Sequence, residues 1–190
     1  MSERDGWPRP AATLDEVIDV LRASSAYDLT DLPGLHHDLL DHCLQTADVL
    51  RTSYPADAEL QIAGLVHDIG HILGPRRDEV HAEVAASFVG PVLGERVADL
   101  VRLHVAAKRY LVTTDPRYRE ELDHGSVASL EHQGGSMAPG EVLAFEGEPL
   151  GDDALVLRRA DEAGKVPGRV VPGLETWLAP LRSHNSRLSP

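Results

Sequence analysis

Leu60-Gln61-Ile62-Ala63-Gly64-Leu65-Val66-His67-Asp68-Ile69-Gly70-His71 joins a dense apolar run to three side chains that can bind metal. Leu60, Ile62, Ala63, Leu65 and Val66 occupy more than one helical face, which predicts a central helix, introduced by Pro55 and Asp57 and running to about Gly70. Helical spacing sets His71 four residues from His67 and three from Asp68, so all three face one cavity. Imidazole and carboxylate in apolar surroundings are costly unless paired or bound to a cation. For an arbitrary His-Asp dipeptide, a polar pair at a helix end is the ordinary explanation. Here two further residues point to a metal. His42 precedes His67 on a helical face shared with Leu39 and Thr46, and Asp161 sits beside Leu157 and Ala160, where an inward acid needs a partner.

Outward from this segment, the periodicity predicts helices and no strands. Thr13 as N-cap with Asp15 and Glu16 in the first turn opens a helix to about Ala23, and Leu39 to Ser53 forms the next. Pro33 and Gly34 mark the stretch Ser24 to His37 as a loop, expected to close over the site. Glu79 to Val89 and Gly94 to Tyr110 follow, separated by Gly90, Pro91 and Gly94 as breakers. Pro116 to Gln133 is helical despite Gly125. Residues 134–151 hold five glycines and two prolines and are expected to form an active-site loop or lid. Leu155 to Lys165 and Leu174 to Leu181 complete the helices, and Arg182 to Pro190 reads as a frayed polar tail. The expected architecture is one all-α domain over residues 1–190.

Composition narrows the function. Eighteen basic against thirty-one acidic residues leave a charge of -13, which disfavours nucleic acid and anionic membrane as partners but leaves room for a local anion pocket. The start of the chain lacks a signal-peptide layout and no run approaches a membrane span, so a cytoplasmic protein is expected. The lone Cys43 allows no internal disulfide and reads as a small buried hydrophobe. Trp177 with Leu174, Leu178 and Leu181 reads as core.

His42, the pair His67-Asp68 and the distant Asp161, in that order, resemble the HD-domain superfamily over roughly residues 36–165. His81 and His104 on the next two helices sharpen the likeness to its dinuclear members. The resemblance implies a helical bundle with two metals in its core. His42, His67 and Asp161 would hold one and His81 and His104 the other, with Asp68 bridging through its two oxygens. Nitrogen and oxygen donors without thiolate suit iron or manganese, and zinc fits the donor types as well.

Within the superfamily, Asp41-His42-Cys43-Leu44-Gln45-Thr46-Ala47 and His67-Asp68-Ile69-Gly70-His71 resemble the mixed-valent diiron oxygenases, which include inositol oxygenase and the enzyme that cleaves 2-amino-1-hydroxyethylphosphonate. That resemblance implies a mixed-valent Fe(II)/Fe(III) pair, dioxygen as cosubstrate, and oxidative cleavage of a 1-hydroxyphosphonate to a carboxylic acid and phosphate. It assigns His71, Lys108, Ser126, Gln133 and Arg158 to substrate, with His71 and Asp68 in the chemistry. A small organophosphonate is then the partner of a monomer or weak homo-oligomer. The amine-recognising member carries a tyrosine and a glutamate just before its first ligand helix; residues 32–37 have neither, unless Asp31, Asp38 or the glycine-rich segment substitutes. A different substituent on the phosphonate is therefore expected.

Plainer roles stand beside these. Lys108 with Arg109 suits a helix C-terminus, one of Arg158 and Arg159 suits a solvated ion pair although its spacing from Asp161 keeps Arg158 on the ligand face, and His71 suits a group orienting a carboxylate. His36, His37, His124, His132 and His184 read as surface or loop histidines. The competing function is a metal-dependent phosphohydrolase acting on a nucleotide or other phosphate ester with manganese or another divalent metal. A non-catalytic metal-dependent sensor is a third class, against which six intact ligands argue.

Overall fold

The computed structural model describes residues 6–29, 37–74 and 79–188, and these are helical with a single isolated antiparallel bridge between Asp28 and Asp38. Helix α1 (Leu14–Ala23) begins where Thr13 accepts from the Glu16 amide, and α2 (Leu39–Ser53) where Asp38 accepts from that of Asp41. Helix α3 (Ala58–Val66) starts at its Asp57 cap and is buried from Leu60 to Val66, as its apolar density demands. It packs on α2, whose Leu50 side chain already crowds Gly64.

Helices α5 (His81–Leu93) and α6 (Glu95–Thr114) form a hairpin turning on Gly94, whose φ of +85° favours glycine. Helix α10 (Gly151–Ala163) lies against α2, α3 and α6. Leu44, Leu50, Leu65, Val66, Ile69, Val101 and Leu157 are among the residues that seal the shared core. Smaller helices α7 (Pro116–Glu121), α8 (His124–His132) and α9 (Pro139–Glu146) precede α10, and α11 (Leu178–Leu188) closes the other end. Cys43 and Trp177 are buried as expected. Among the described residues, no helix is long and apolar enough to cross a membrane.

Several expectations need correction. The α3 helix stops at Val66; His67 to Ile69 form a turn and α4 (Gly70–Leu73) is a separate short helix. Pro91 does not end α5, because it lies on the exposed side while Val92 and Leu93 still enter the core. Residues 116–133 form two helices, interrupted at Leu122 and the Asp123 cap. Residues 134–151 include α9, whose Phe145 packs, together with Met137 just before the helix, on Leu103, Ala107 and Ala154, and none of residues 134–151 lines the site. The expected frayed tail is α11: buried His184 binds the Leu93 carbonyl at 2.8 Å and Asn185 donates to Val92 O at 2.8 Å, satisfying carbonyls at the end of α5. His37 is also buried rather than exposed. His36, Asp31 and half of the presumed closing loop, residues 30–36, lie outside the described residues.

Arg96 ties three starts together. It grips both Asp57 oxygens at 2.7 Å, Glu59 at 3.3 Å and Asp153 at 2.8 Å, linking the N-termini of α3, α6 and α10. Arg96→Ala is expected to cost about 1 kcal/mol, lowering Tm by about 2–4 °C at neutral pH. The Arg96 hydrogen bonds hold the Asp57 carboxyl below its ordinary value. The contribution is thus present above the unfolded carboxylate pKa and fades as pH falls through the lower folded value. Thermal melts in which the gap between variant and parent stays constant into strong acid would contradict this coupling.

Candidate metal centre

The His67–Gly70 turn aims the polar cluster. The backbone switches to three-residue hydrogen bonds, Ile69 N to Val66 O at 3.4 Å, His71 N to Asp68 O at 3.1 Å and Ile72 N to Ile69 O at 3.2 Å. Gly70 is needed because a Cβ there would lie 1.9 Å from the His81 carbonyl oxygen. Its absence lets Asp68 and the start of α5 share one space.

Six side chains from five parts of the fold converge. His42 (α2), His67 and Asp161 (α10) form one group; Asp68, His81 (α5) and His104 (α6) form a second, each with donor atoms within 4.8 Å of one another. Asp68 faces both groups. Its Oδ2 lies 3.5 Å from His42 Nε2 and 3.4 Å from His67 Nε2, and its Oδ1 lies 3.3 Å from His81 and 3.4 Å from His104.

The donor chemistry fits metal. Nδ1 of His42, His67 and His104 meets the carbonyls of Gly164, Gly64 and Val101 at 3.1, 2.8 and 2.7 Å. A carbonyl only accepts, so each Nδ1 carries the proton and Nε2 points inward. The Nε2 pairs His42–His67 and His81–His104 are 3.2 and 3.1 Å apart. Adjacent ligands on bonds of ~2.1 Å would be about 3.0–3.4 Å apart. Asp161 Oδ1 is buried with no hydrogen-bond partner, although His42 Nε2 and Lys165 Nζ stand 3.3 and 3.2 Å away.

Protonation in the metal-free protein follows the same geometry. Burial opposes charge on His42, but Asp161 and Asp68 outweigh it and raise its pKa to about 9. Burial lowers His104 to about 4. Despite burial, the surrounding histidines hold Asp68 well below the carboxylate range, and Arg158, Lys165, His42 and His67 do the same for Asp161. A proton on His42 thus occupies the place a cation would take.

A cavity of about 560 Å³ opens onto the cluster. His71, Lys108, Ser126, Gln133 and Arg158 all line it. His71 is stacked between Tyr27 and His81, with ring centroids 6.2 and 4.1 Å away, and its Nε2 is 4.0 Å from Asp68 Oδ1. Lys108 is buried and donates to Ser129 Oγ at 2.8 Å; burial, with Arg158 and Lys165 nearby, lowers its pKa to about 7. Ser126 accepts from Arg158 and from Lys165, at 3.1 and 2.6 Å, and donates to Asp123 at 2.9 Å. Of the five N–H groups of Arg158 four are engaged, by Tyr118, Asp161, Ser126 and Glu162. It is a buried ion-pair hub rather than a solvated pair.

Lys165, Tyr27, His37 and Ser129 also line this space and escaped the sequence reading. Lys165 had a signal, since it follows Asp161 by four residues. Tyr27 had none, because it lies well before the segment compared with the amine-recognising loop. Asp38 is committed to capping α2 and His124 and His132 are exposed cavity residues on α8.

A family model described as HD domain matches residues 39–163. The chain is 38% identical to hydroxymethylphosphonate dioxygenase of Gimesia maris over 153 residues, 76% of each protein. It is 36% identical over 135 residues to the glycine-betaine-forming 1-hydroxy-2-(trimethylamino)ethylphosphonate dioxygenase of Leisingera caerulea, 67% of this chain and 68% of that one. A shorter match, 42% over 41 residues, joins 22% of the chain to 13% of inositol oxygenase 1 of Arabidopsis thaliana.

Proposed function

The chain belongs to the HD-domain family, and we propose that it is an oxygenase of that family that cleaves the carbon–phosphorus bond of a 1-hydroxyphosphonate to a carboxylic acid and inorganic phosphate. The observation that carries the reading is the pair of nitrogen and oxygen donor groups joined by Asp68 beneath a wall bearing Lys108. His42, His67 and Asp161 would hold one iron and His81 and His104 the other, with Asp68 between them in a mixed-valent pair. Iron bound there supplies a Lewis acid for the substrate's hydroxyl and phosphonate oxygens and a redox partner for dioxygen.

The residues of the chain do the rest. Lys108, buried with a hydroxyl as its hydrogen-bond partner, offers an ammonium to the phosphonate. Ser126, Gln133 and Lys165 line the same space, while the one uncommitted N–H of Arg158 adds at most a single bond. His71, held by stacking on His81, receives the substrate hydroxyl and keeps its proton close to Asp68. Oxidation of the carbinol carbon and of phosphorus releases four electrons, matching the reduction of one dioxygen, so no outside reductant enters the balance.

Aerobic incubation of the iron-loaded, partly reduced protein with 1-hydroxyphosphonates and phosphate esters tests this. The expected result is one phosphate released per dioxygen consumed from a 1-hydroxyphosphonate. Phosphate from esters without oxygen uptake would assign the protein to the hydrolases of the family instead.

A further inference from the structure

The face of α2 that carries His42 also carries Gln45 and Thr46, three and four residues on, and this face receives the chain that leaves α10. Gln45 is 1% exposed and its carboxamide is spent on backbone. Nε2 donates to Val166 O at 2.9 Å and Arg169 O at 3.3 Å, while Oε1 accepts from Val166 N at 3.1 Å. One side chain thus pairs both polar groups of Val166 as a neighbouring strand would.

Gly164, two residues earlier, lies so close to α2 that a Cβ would stand 2.5 Å from Thr46 Oγ1 and 2.9 Å from Thr46 N. Its carbonyl is the one that receives His42 Nδ1–H at 3.1 Å. Between these two fixed points is Lys165, whose Nζ reaches Asp161 Oδ1 at 3.2 Å, Asp123 Oδ2 at 3.1 Å and Ser126 Oγ at 2.6 Å.

Resting on the dinuclear reading above, we propose that Gln45 is a positioning residue for the metal site of His42, His67 and Asp161. By docking Val166 it sets the Gly164 carbonyl that fixes the His42 tautomer and the ammonium that faces Asp161. In the second site, His104 is oriented from within its own helix, by the Val101 carbonyl at 2.7 Å. The clamp therefore acts on one site of two, and a residue serving stability alone would not discriminate between them.

The test is titration of the metal-free protein with Co(II), followed by absorption, with helicity and Tm measured in parallel. Wild type is expected to take up two equivalents. Gln45→Met should keep one at parental affinity and weaken the other by about 10-fold or more, the usual effect of losing a group that orients a ligand. Gln45→Glu keeps the bond from Val166 N but loses both donors, and should fall between. A folded Gln45→Met protein with two parental sites overturns the proposal, as does equal weakening of both sites alongside a lower Tm. Should Gln45→Met fail to fold, parental affinity at both sites in Gln45→Glu overturns it equally. Wild type that takes up no Co(II) sinks the dinuclear reading itself, and this inference with it.

Discussion

Asp68→Ala is expected to reduce bound metal from two ions per chain to fewer than one and to lower the oxygen-dependent release of phosphate by about 10³-fold or more. Among the described residues Asp68 is the one carboxylate with an oxygen toward each histidine group, so its removal would take a ligand from both sites at once. It also removes the negative charge that the four surrounding imidazoles share. His81→Ala, in contrast, should leave one ion bound at the His42 site, because His81 belongs to the second donor group. Metal analysis of the purified variants, with circular dichroism to verify helicity, separates the cases. An Asp68→Ala protein that keeps two ions and comparable turnover would rule out the bridging role.

Lys108→Met is expected to move activity and stability in opposite directions. Hydrogen bonds from a charged donor contribute about 1.5–3 kcal/mol, so kcat/KM for a 1-hydroxyphosphonate should fall by roughly 10- to 150-fold with both metals retained. The metal-free variant should nonetheless melt a few degrees higher, at about 2–4 °C per kcal/mol, since a desolvated ammonium has been replaced by an apolar chain of similar length. The sign follows from the lowered pKa, about 7 against an ordinary 10.5. The unfolded chain binds the Lys108 proton more readily than the folded one, so the parent is penalised most below pH 7 and gains stability as pH rises from 7 toward 10.5. The advantage of Lys108→Met should therefore be largest at or below pH 7 and vanish near pH 10.5. A variant less stable than the parent at pH 6, or one with unchanged kcat/KM, would remove Lys108 from the substrate wall.

Such a trade marks a residue kept for function. Arg158 is likewise a desolvated cation, its guanidinium held by Asp161, Glu162, Ser126 and Tyr118. From sequence alone Arg158 read as one more cation for the substrate. Only packing reveals that its donors are nearly all committed before any substrate arrives.

The amino-acid sequence by itself determined the helical class, the start of each early helix and the six residues gathered at the centre. Helix periodicity and caps are local properties, as Thr13 and Asp57 illustrate, and a His-Asp pair closing an apolar run, joined by His42 and Asp161 beside apolar neighbours, points to a cation. What local reasoning could not supply was anything that depends on a neighbour distant in the chain. The break after Val66 is imposed by Gly70 meeting the His81 carbonyl. The helical tail exists because His184 and Asn185 find the open carbonyls of α5, and residues 134–151 fold away from the site because Met137 and Phe145 have apolar partners on α6 and α10. Gln45 enters the account only when α2 and the chain that leaves α10, more than a hundred residues apart, are brought together. Propensity acts over a turn or two of chain, whereas hydrogen-bond satisfaction and close packing are settled by whatever the fold places alongside.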